Sequence, residues 1–251
     1  ELDKYPIDEG MQERHRLYSL LLMAITKYYW NGNKEGQYGT YPLNPEKYSF
    51  IKNDYVGHNI ASIAVDAYGE VIDFEFNHNK TYNSSTEHAE SRMVKRVFTL
   101  TQINDSWKVS LDKHNPRTDY NTFEDVVMYT TLESCSQCAG IMALARVKEI
   151  VYLQTDPGMY LIGNILRNLT KKIDNVEGSK GDLTSPMPIS GENIKFSYFS
   201  KLNSSYLSFK QNSSNVAFFK PDPTPEIPSP KEKKTDSITS FLCTKYAFEV
   251  Y

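Results

Sequence analysis

His88 and Glu90 stand two residues apart, and Cys135 and Cys138 three apart; these four carry the chain's clearest chemistry. An imidazole and two thiolates make three zinc ligands. Structural zinc sites close with four protein ligands, whereas catalytic sites keep the fourth position open for water. The remaining cysteine, Cys243, lies in a separate C-terminal stretch, and His58, His78 and His114 offer no second paired spacing. Zinc acidifies its water toward neutrality, and a glutamate beside a ligand is placed to take that proton and pass it on. The implied chemistry is hydrolytic. A redox pair, or half of a structural zinc site, would also suit a lone Cys-x-x-Cys, and Glu90 alone would suit a solvated helix face.

The elements around these residues must hold them. Thr86-Glu87-His88-Ala89-Glu90 runs without Gly or Pro into Phe98, with Met93, Val94 and Val97 at helical spacing from Ala89. Val127 to Leu132 is β-branched and aromatic, a strand, and Ser136 to Val147 reads as a helix with Ser134 or Ser136 as its N-cap. Both metal-binding segments then sit at helix N-termini, where the macrodipole favours thiolate. Further elements are a helix over about Met11 to Trp30, with Leu17, Leu20, Leu21, Ala24, Ile25 and Tyr28 on one side, and a strand within Tyr55–Val65. A turn at 66–70, strands at 71–76 and 149–153 and a helix over Tyr160–Leu169 complete the set. Residues 195–219 suit a strand or a helix.

His-Ala-Glu opening a helix, Tyr129-Thr130-Thr131-Leu132-Glu133 before the Cys-x-x-Cys, Ala139-Gly140 after it, then Ala145-Arg146-Val147 and Glu149 to Leu153 resemble the cytidine and deoxycytidylate deaminase superfamily. Within it the words are most similar to the tRNA adenosine deaminase and nucleobase deaminase branch. The resemblance covers roughly residues 55 to 165. It implies an α/β fold, a three-layer α/β/α cytidine-deaminase-like architecture with a central mixed sheet. It implies one Zn2+ per chain on His88, Cys135 and Cys138, with water in the fourth position and Glu90 as the catalytic acid and base. An asparagine at the end of the second strand binds the base in that family; Asn77 matches by position, Asn79 being the alternative. Ala61, Ala89 and Ser134 join the expected substrate-binding set, with Ser62 beside Ala61. The family's proline before the first cysteine is replaced here by Ser134, which can cap instead.

The expected reaction replaces an exocyclic amine of a nucleobase by a carbonyl and releases ammonia. Adenosine to inosine in tRNA, by a homodimer, is the first reading. The second is deamination of a free base, nucleoside or nucleotide. A non-catalytic zinc-stabilised partner subunit is the third, and such subunits tend to lack the glutamate that Glu90 supplies here.

Residues 1–220 read as one deaminase domain with loop insertions at about 31–54, 99–125 and 170–194. A Pro/Lys-rich linker follows at 221–236, then a β-prone tail at 237–251 that would add a strand or reach a neighbouring subunit. With 28 Lys+Arg against 31 Asp+Glu, net charge −3 exerts no global pull on nucleic acid. Local basic clusters are Arg92/Lys95/Arg96, read first as a solvated helix face, then Lys171-Lys172 and Lys231/Lys233-Lys234. Three cysteines with two on zinc suit a reducing compartment. No transmembrane run or signal peptide is visible, so the expected location is cytoplasmic with no membrane partner. The chain starts at Glu1, which leaves room for a removed leader.

Overall fold

The computed structural model describes residues 7–30, 57–79, 81–108, 123–158, 166, 186–211 and 237–251. The elements are α1 (Glu9–Tyr28), β1 (Ala61–Val65), β2 (Val71–Phe76), α2 (Ala89–Lys108), β3 (Val127–Thr130), α3 (Ser136–Leu144), β4 (Glu149–Tyr152), β5 (Met187–Ser190) and α4 (Ser197–Gln211). Two single-turn helices, Ile238–Phe241 and Lys245–Phe248, close the described chain. The expected insertion at 31–54, the linker at 221–236 and nearly all of the expected helix 160–169 lie outside the described residues.

The five strands form one sheet in the order β2-β1-β3-β4-β5. The β1–β2 and β1–β3 pairs are antiparallel, whereas β3–β4 and β4–β5 are parallel. Side chains alternate across a strand, and here they divide two cores. Ile63, Tyr129, Val151 and Ile189 face a layer built from α1, α4 and the two C-terminal turns. Ala64, Met128 and Ile150 face the opposite layer, where Met93, Val94 and Val97 of α2 meet Cys138, Ala139 and Met142 of α3. This is the expected α/β/α arrangement around a mixed sheet. The β1–β2 turn is held by Asp66, whose Oδ1 accepts from the Tyr68 and Glu70 amides, and by Gly69 at φ 91°.

Several sequence expectations are corrected. On α1 the buried residues are His15, Ser19, Leu22, Met23 and Thr26, while Leu17, Leu20, Leu21 and Tyr28 are exposed. The helix is rotated because its polar side chains have partners on the sheet. His15 Nδ1 lies 3.0 Å from Tyr129 Oη, Tyr18 Oη donates to Gly69 O at 2.6 Å, and Arg14 donates to Asp66 O at 2.9 Å. Burial first, then the Arg14 and Lys148 charges, holds the His15 imidazole neutral down to about 4. At neutral pH its 3.6 Å approach to Glu149 is therefore not an ion pair.

Residues 99–108, expected in a loop, continue α2 to Lys108. The strand β5 lies within the insertion expected at 170–194. It sits at the sheet edge, where Pro188 can lack its amide proton. Residues 197–211 are helical. The 237–251 stretch is helical too, and it packs into this chain's own core through Ile238, Phe241, Leu242 and Ala247. No helix of the described residues is long and apolar enough to cross a membrane.

The cluster Arg92/Lys95/Arg96 is not a free solvated face. Arg92 donates to Glu75 at 3.1 Å and to Glu87 at 2.7 Å, and Arg96 donates to Glu75 at 2.6 Å and pairs with Asp73 at 2.9 Å. Lys95 lies 3.9 Å from Glu87. These contacts clamp α2 onto β2. Burial alone would raise the Glu75 carboxyl, but hydrogen bonds from Arg92 and Arg96 outweigh it and hold it below its ordinary range. A lowered folded value means the stabilisation is present above the unfolded value near 4.5 and fades as pH falls through the folded one. Glu75→Gln should cost about 3 kcal/mol at neutral pH, the low end for a buried pair because Arg96 is half exposed. Urea melts should show the gap from wild type shrinking in acid.

Candidate active site and zinc centre

His88 immediately precedes α2, and Cys135 is the residue from which α3 starts. The α2 and α3 helices pack together on one face of the sheet, which brings their N-termini side by side. Hydrogen bonding holds the two approaches. His78 N donates to Glu87 O, Thr131 N to Ala61 O, and Glu133 N to Gln154 O. Gly57 permits a close backbone crossing, since a Cβ there would lie 2.4 Å from Asn77 O.

The three donor atoms converge. His88 Nδ1 lies 3.2 Å from Cys135 Sγ and 3.6 Å from Cys138 Sγ, and the two sulfurs are 3.5 Å apart. Bonds of about 2.3 Å to sulfur and 2.0–2.1 Å to nitrogen give tetrahedral edges of about 3.5–3.8 Å, so the trio fits zinc after a small outward breathing. No other group of three His, Cys, Asp or Glu side chains with this closeness occurs among the described residues.

Without metal, the trio shares its protons unevenly. A hydrogen bond from Cys138, opposed by burial and assisted by one from His88, lowers Cys135 to about 4. Cys138 is pushed up as the donor to that thiolate and by burial, and the Cys135 contact raises His88.

Glu90 occupies the first turn of α2 and is 3% exposed. Cys138 Sγ lies 3.6 Å from its Oε2. Burial raises its carboxyl above the ordinary value, with the Cys135 charge adding to the effect. Glu90, His88 and Cys135 open on one cavity of about 260 Å³, with Cys138 buried behind them. Among the described residues its walls are His58, Ile60, Asn77, Asn79, Ser85, His88, Glu90, Leu132, Glu133, Cys135, Asp156 and Thr239. That volume lies just under the roughly 300–1,000 Å³ of drug-sized ligand sites and suits a single flat ring.

Both asparagines named from sequence line the cavity, in different states. Asn77 Oδ1 accepts from Ala89 N at 2.7 Å, satisfying one of the orphan amides at the start of α2. No described residue accepts from its Nδ2. Asn79 donates Nδ2 to Ser84 O at 3.2 Å, and its buried Oδ1 has no protein partner. Replacing Asn77 by alanine should cost about 1 kcal/mol through the lost cap, whereas Asn77→Asp keeps the acceptor; denaturant melts of both separate the cases.

The other expected contacts are corrected. Ala61 lies outside the cavity lining, with its amide taken by Thr131 Oγ1 at 3.1 Å; its neighbour Ile60 lines the wall. Ser62 is fully buried beneath, its hydroxyl without a partner. Ala89 is fully buried with its amide committed to Asn77. Ser134 does not cap α3, which has Cys135 at its N-cap position and no side-chain cap. Instead the Ser134 hydroxyl lies against the Glu90 carboxyl and lowers it slightly, although its geometry falls short of a hydrogen bond.

Sequence reasoning missed Glu133, Asp156 and Thr239. Glu133 Oε2 accepts from the Asp156 amide at 3.1 Å, and burial raises the Asp156 carboxyl. The pair could have been sought through the strand pairing of β3 with β4, which brings their C-terminal ends together. Thr239 had no sequence signal.

Comparison with known proteins agrees with this geometry. Residues 46–154 match the family described as the cytidine and deoxycytidylate deaminase zinc-binding region. A 74-residue stretch is 34% identical to tRNA-specific adenosine deaminase 2 of Xenopus laevis, covering 30% of this chain and 35% of that protein. The chain thus spans about a third of that relative's length. Among solved structures, one from studies of A-to-I editing by tRNA:A34 deaminases is 20% identical, covers 53% of this chain and 82% of the other, and has a TM-score of 0.32. A guanine deaminase from Bacillus subtilis is 23% identical, with coverages of 39% and 50% and a TM-score of 0.30. At those scores nothing further rests on either likeness. Residues 46–154 thus carry the match to the cytidine and deoxycytidylate deaminase zinc-binding region, and within them His88, Cys135 and Cys138 form the trio placed to hold zinc.

Proposed function

We propose that this chain is a hydrolytic deaminase acting on a nucleobase, with adenosine in tRNA as its first substrate and inosine as the product. The observation that carries the reading is Glu90, a buried carboxyl opening on the same cavity as His88 and Cys135 of the zinc trio. Zinc, when bound, supplies an acidified water in the cavity. With the metal in place Glu90 would be the group to accept a proton from the attacking water, return it to the ring nitrogen and then serve the departing amine. Water adds at the carbon bearing the amine, the C–N bond breaks, and a carbonyl and ammonia result. Ile60 and Leu132 supply apolar surface for the ring, and Asn77 Nδ2 a donor for its edge.

The name of the Xenopus relative supports tRNA as the substrate. Two observations favour a free base or nucleoside as the second reading. No Lys or Arg lines the cavity among the described residues, so a phosphate drawn into it would meet carboxylates and thiolates. Arg92 and Arg96, adjacent to the site in sequence, are already neutralised by Glu75, Glu87 and Asp73. On either reading phosphates stay outside the cavity. A partner subunit without turnover would not need Glu90. The reading extends to a cytoplasmic homodimer, which light scattering and cell fractionation would check.

The test is mass spectrometry of products after wild type and Glu90→Ala are each incubated with unmodified tRNA and with a pool of free bases, nucleosides and nucleotides. Inosine in tRNA with wild type alone supports the first reading. A free product supports the second, and no product from either pool, with zinc bound, overturns the deaminase reading.

A further inference from the structure

The 237–251 segment does more than complete the core. Its residue Thr239 lines the cavity that holds His88 and Glu90, although it lies far from both in the chain. The segment is anchored on both sides of that position. Ser237 Oγ caps the first turn by accepting from Ser240 N at 3.2 Å, and Ile238, Phe241 and Leu242 are 4%, 0% and 0% exposed. Downstream, Ser205 Oγ of α4 donates to Tyr246 O at 2.9 Å, and Phe248 and Tyr251 pack on Trp30 with ring centroids 5.4 and 5.6 Å apart. Two contacts join the segment to the stretch before β1: Asn59 Nδ2 donates to Leu242 O at 3.0 Å, and Cys243 Sγ lies 3.6 Å from Nδ1 of His58, itself a lining residue.

We propose that this segment is a substrate-facing wall of the site, with Thr239 as a specificity-determining residue that controls which bases reach the zinc. The proposal rests on the deaminase reading for the identity of the ligand but not for the existence of the wall. Its basis is geometric. A half-buried threonine, held between a buried core on one side and a helix cap on the other, lies in the wall of a cavity sized for one ring; its hydroxyl is 3.2 Å from Ser237 Oγ and keeps hydrogen-bonding capacity for a ligand. The hydroxyl can donate or accept, so it can discriminate between ring edges that an apolar wall would treat alike. His58 stands beside it, steadied by Cys243.

The experiment compares zinc-loaded wild type, Thr239→Val and Thr239→Trp as the full chain, with melting temperature and zinc content as controls on folding. One readout is the rate at which a chromogenic chelator extracts zinc. The other is ammonia release from adenine, guanine, cytosine, their ribonucleosides and unmodified tRNA. Thr239→Trp should slow extraction and lower kcat/KM on the best substrate by more than the roughly ten- to two-hundredfold that a single methylene is worth in a pocket. Thr239→Val should change the ratio of kcat/KM between substrates. Slowed extraction without turnover by wild type on any substrate would support the wall and overturn the deaminase reading. Unaltered extraction and turnover in Thr239→Trp would overturn the wall. Equal effects of Thr239→Val on every substrate would overturn the specificity role.

Discussion

Glu90→Gln should leave zinc in place and lower ammonia release by about 10²–10⁴-fold, the range that one positioned acid–base group contributes. The amide keeps the shape and burial of the carboxyl but cannot take a proton from water. Burial raises the Glu90 carboxyl above its ordinary value, so the folded state pays for its charge at neutral pH. Removing that charge should leave the melting temperature unchanged or higher. Stoichiometric zinc, an intact melt and lost turnover together would assign Glu90 to the chemistry. Loss of zinc in this variant would instead assign it to the metal centre, and full turnover would remove it from the reaction.

Substituting a ligand should act on everything at once. His88→Ala, Cys135→Ser or Cys138→Ser should each weaken zinc by more than the roughly 10–100-fold that loss of an outer-shell partner costs, and turnover should vanish with the metal. The metal also joins α2 to α3, so these variants should melt earlier than wild type under equal zinc, as should wild type treated with a chelator. Proton release adds a check on the geometry. In the metal-free trio Cys138 and His88 hold their protons more tightly than usual, while Cys135 is a thiolate down to about 4. Zinc must displace the proton on Cys138, and the one on His88 wherever that imidazole is charged. Affinity should therefore fall as pH falls, and calorimetry in buffers of different ionisation enthalpy should register protons released on binding. Binding that is independent of pH would contradict the shared thiolate–thiol arrangement.

How much was legible from sequence follows from the range of the interactions involved. His88, Glu90, Cys135 and Cys138 were visible because a ligand set imposes residue types at short spacings, and such spacings survive in a linear text. Strand β2 and the Asp66–Gly69 turn were legible for a similar reason: alternation and turn chemistry are local. The outer face of α1 was misread because Leu17, Leu20 and Leu21 form a plausible apolar stripe. What orients α1 is His15 against Tyr129 and Arg14 against Asp66, contacts spanning 114 and 52 residues. Ser134, one of two serines expected to cap α3, instead lies against Glu90, because α2 and α3 pack together on one face of the sheet.

By itself the sequence determined the metal, its three ligands, the carboxyl beside them and the layered α/β arrangement, since each depends on identity and near spacing. Only the tertiary structure decided the cavity around them. Asn77 became a cap for α2 as well as a wall residue, Glu133 and Asp156 came together at the ends of adjacent strands, and Thr239 arrived from a C-terminal segment that reads as a loose tail. Hydrophobic burial is non-directional and indifferent to chain distance. The burial of Phe241, Leu242 and Ala247 against α4 and the sheet therefore placed that segment at the site, and no local pattern in residues 237–251 records it.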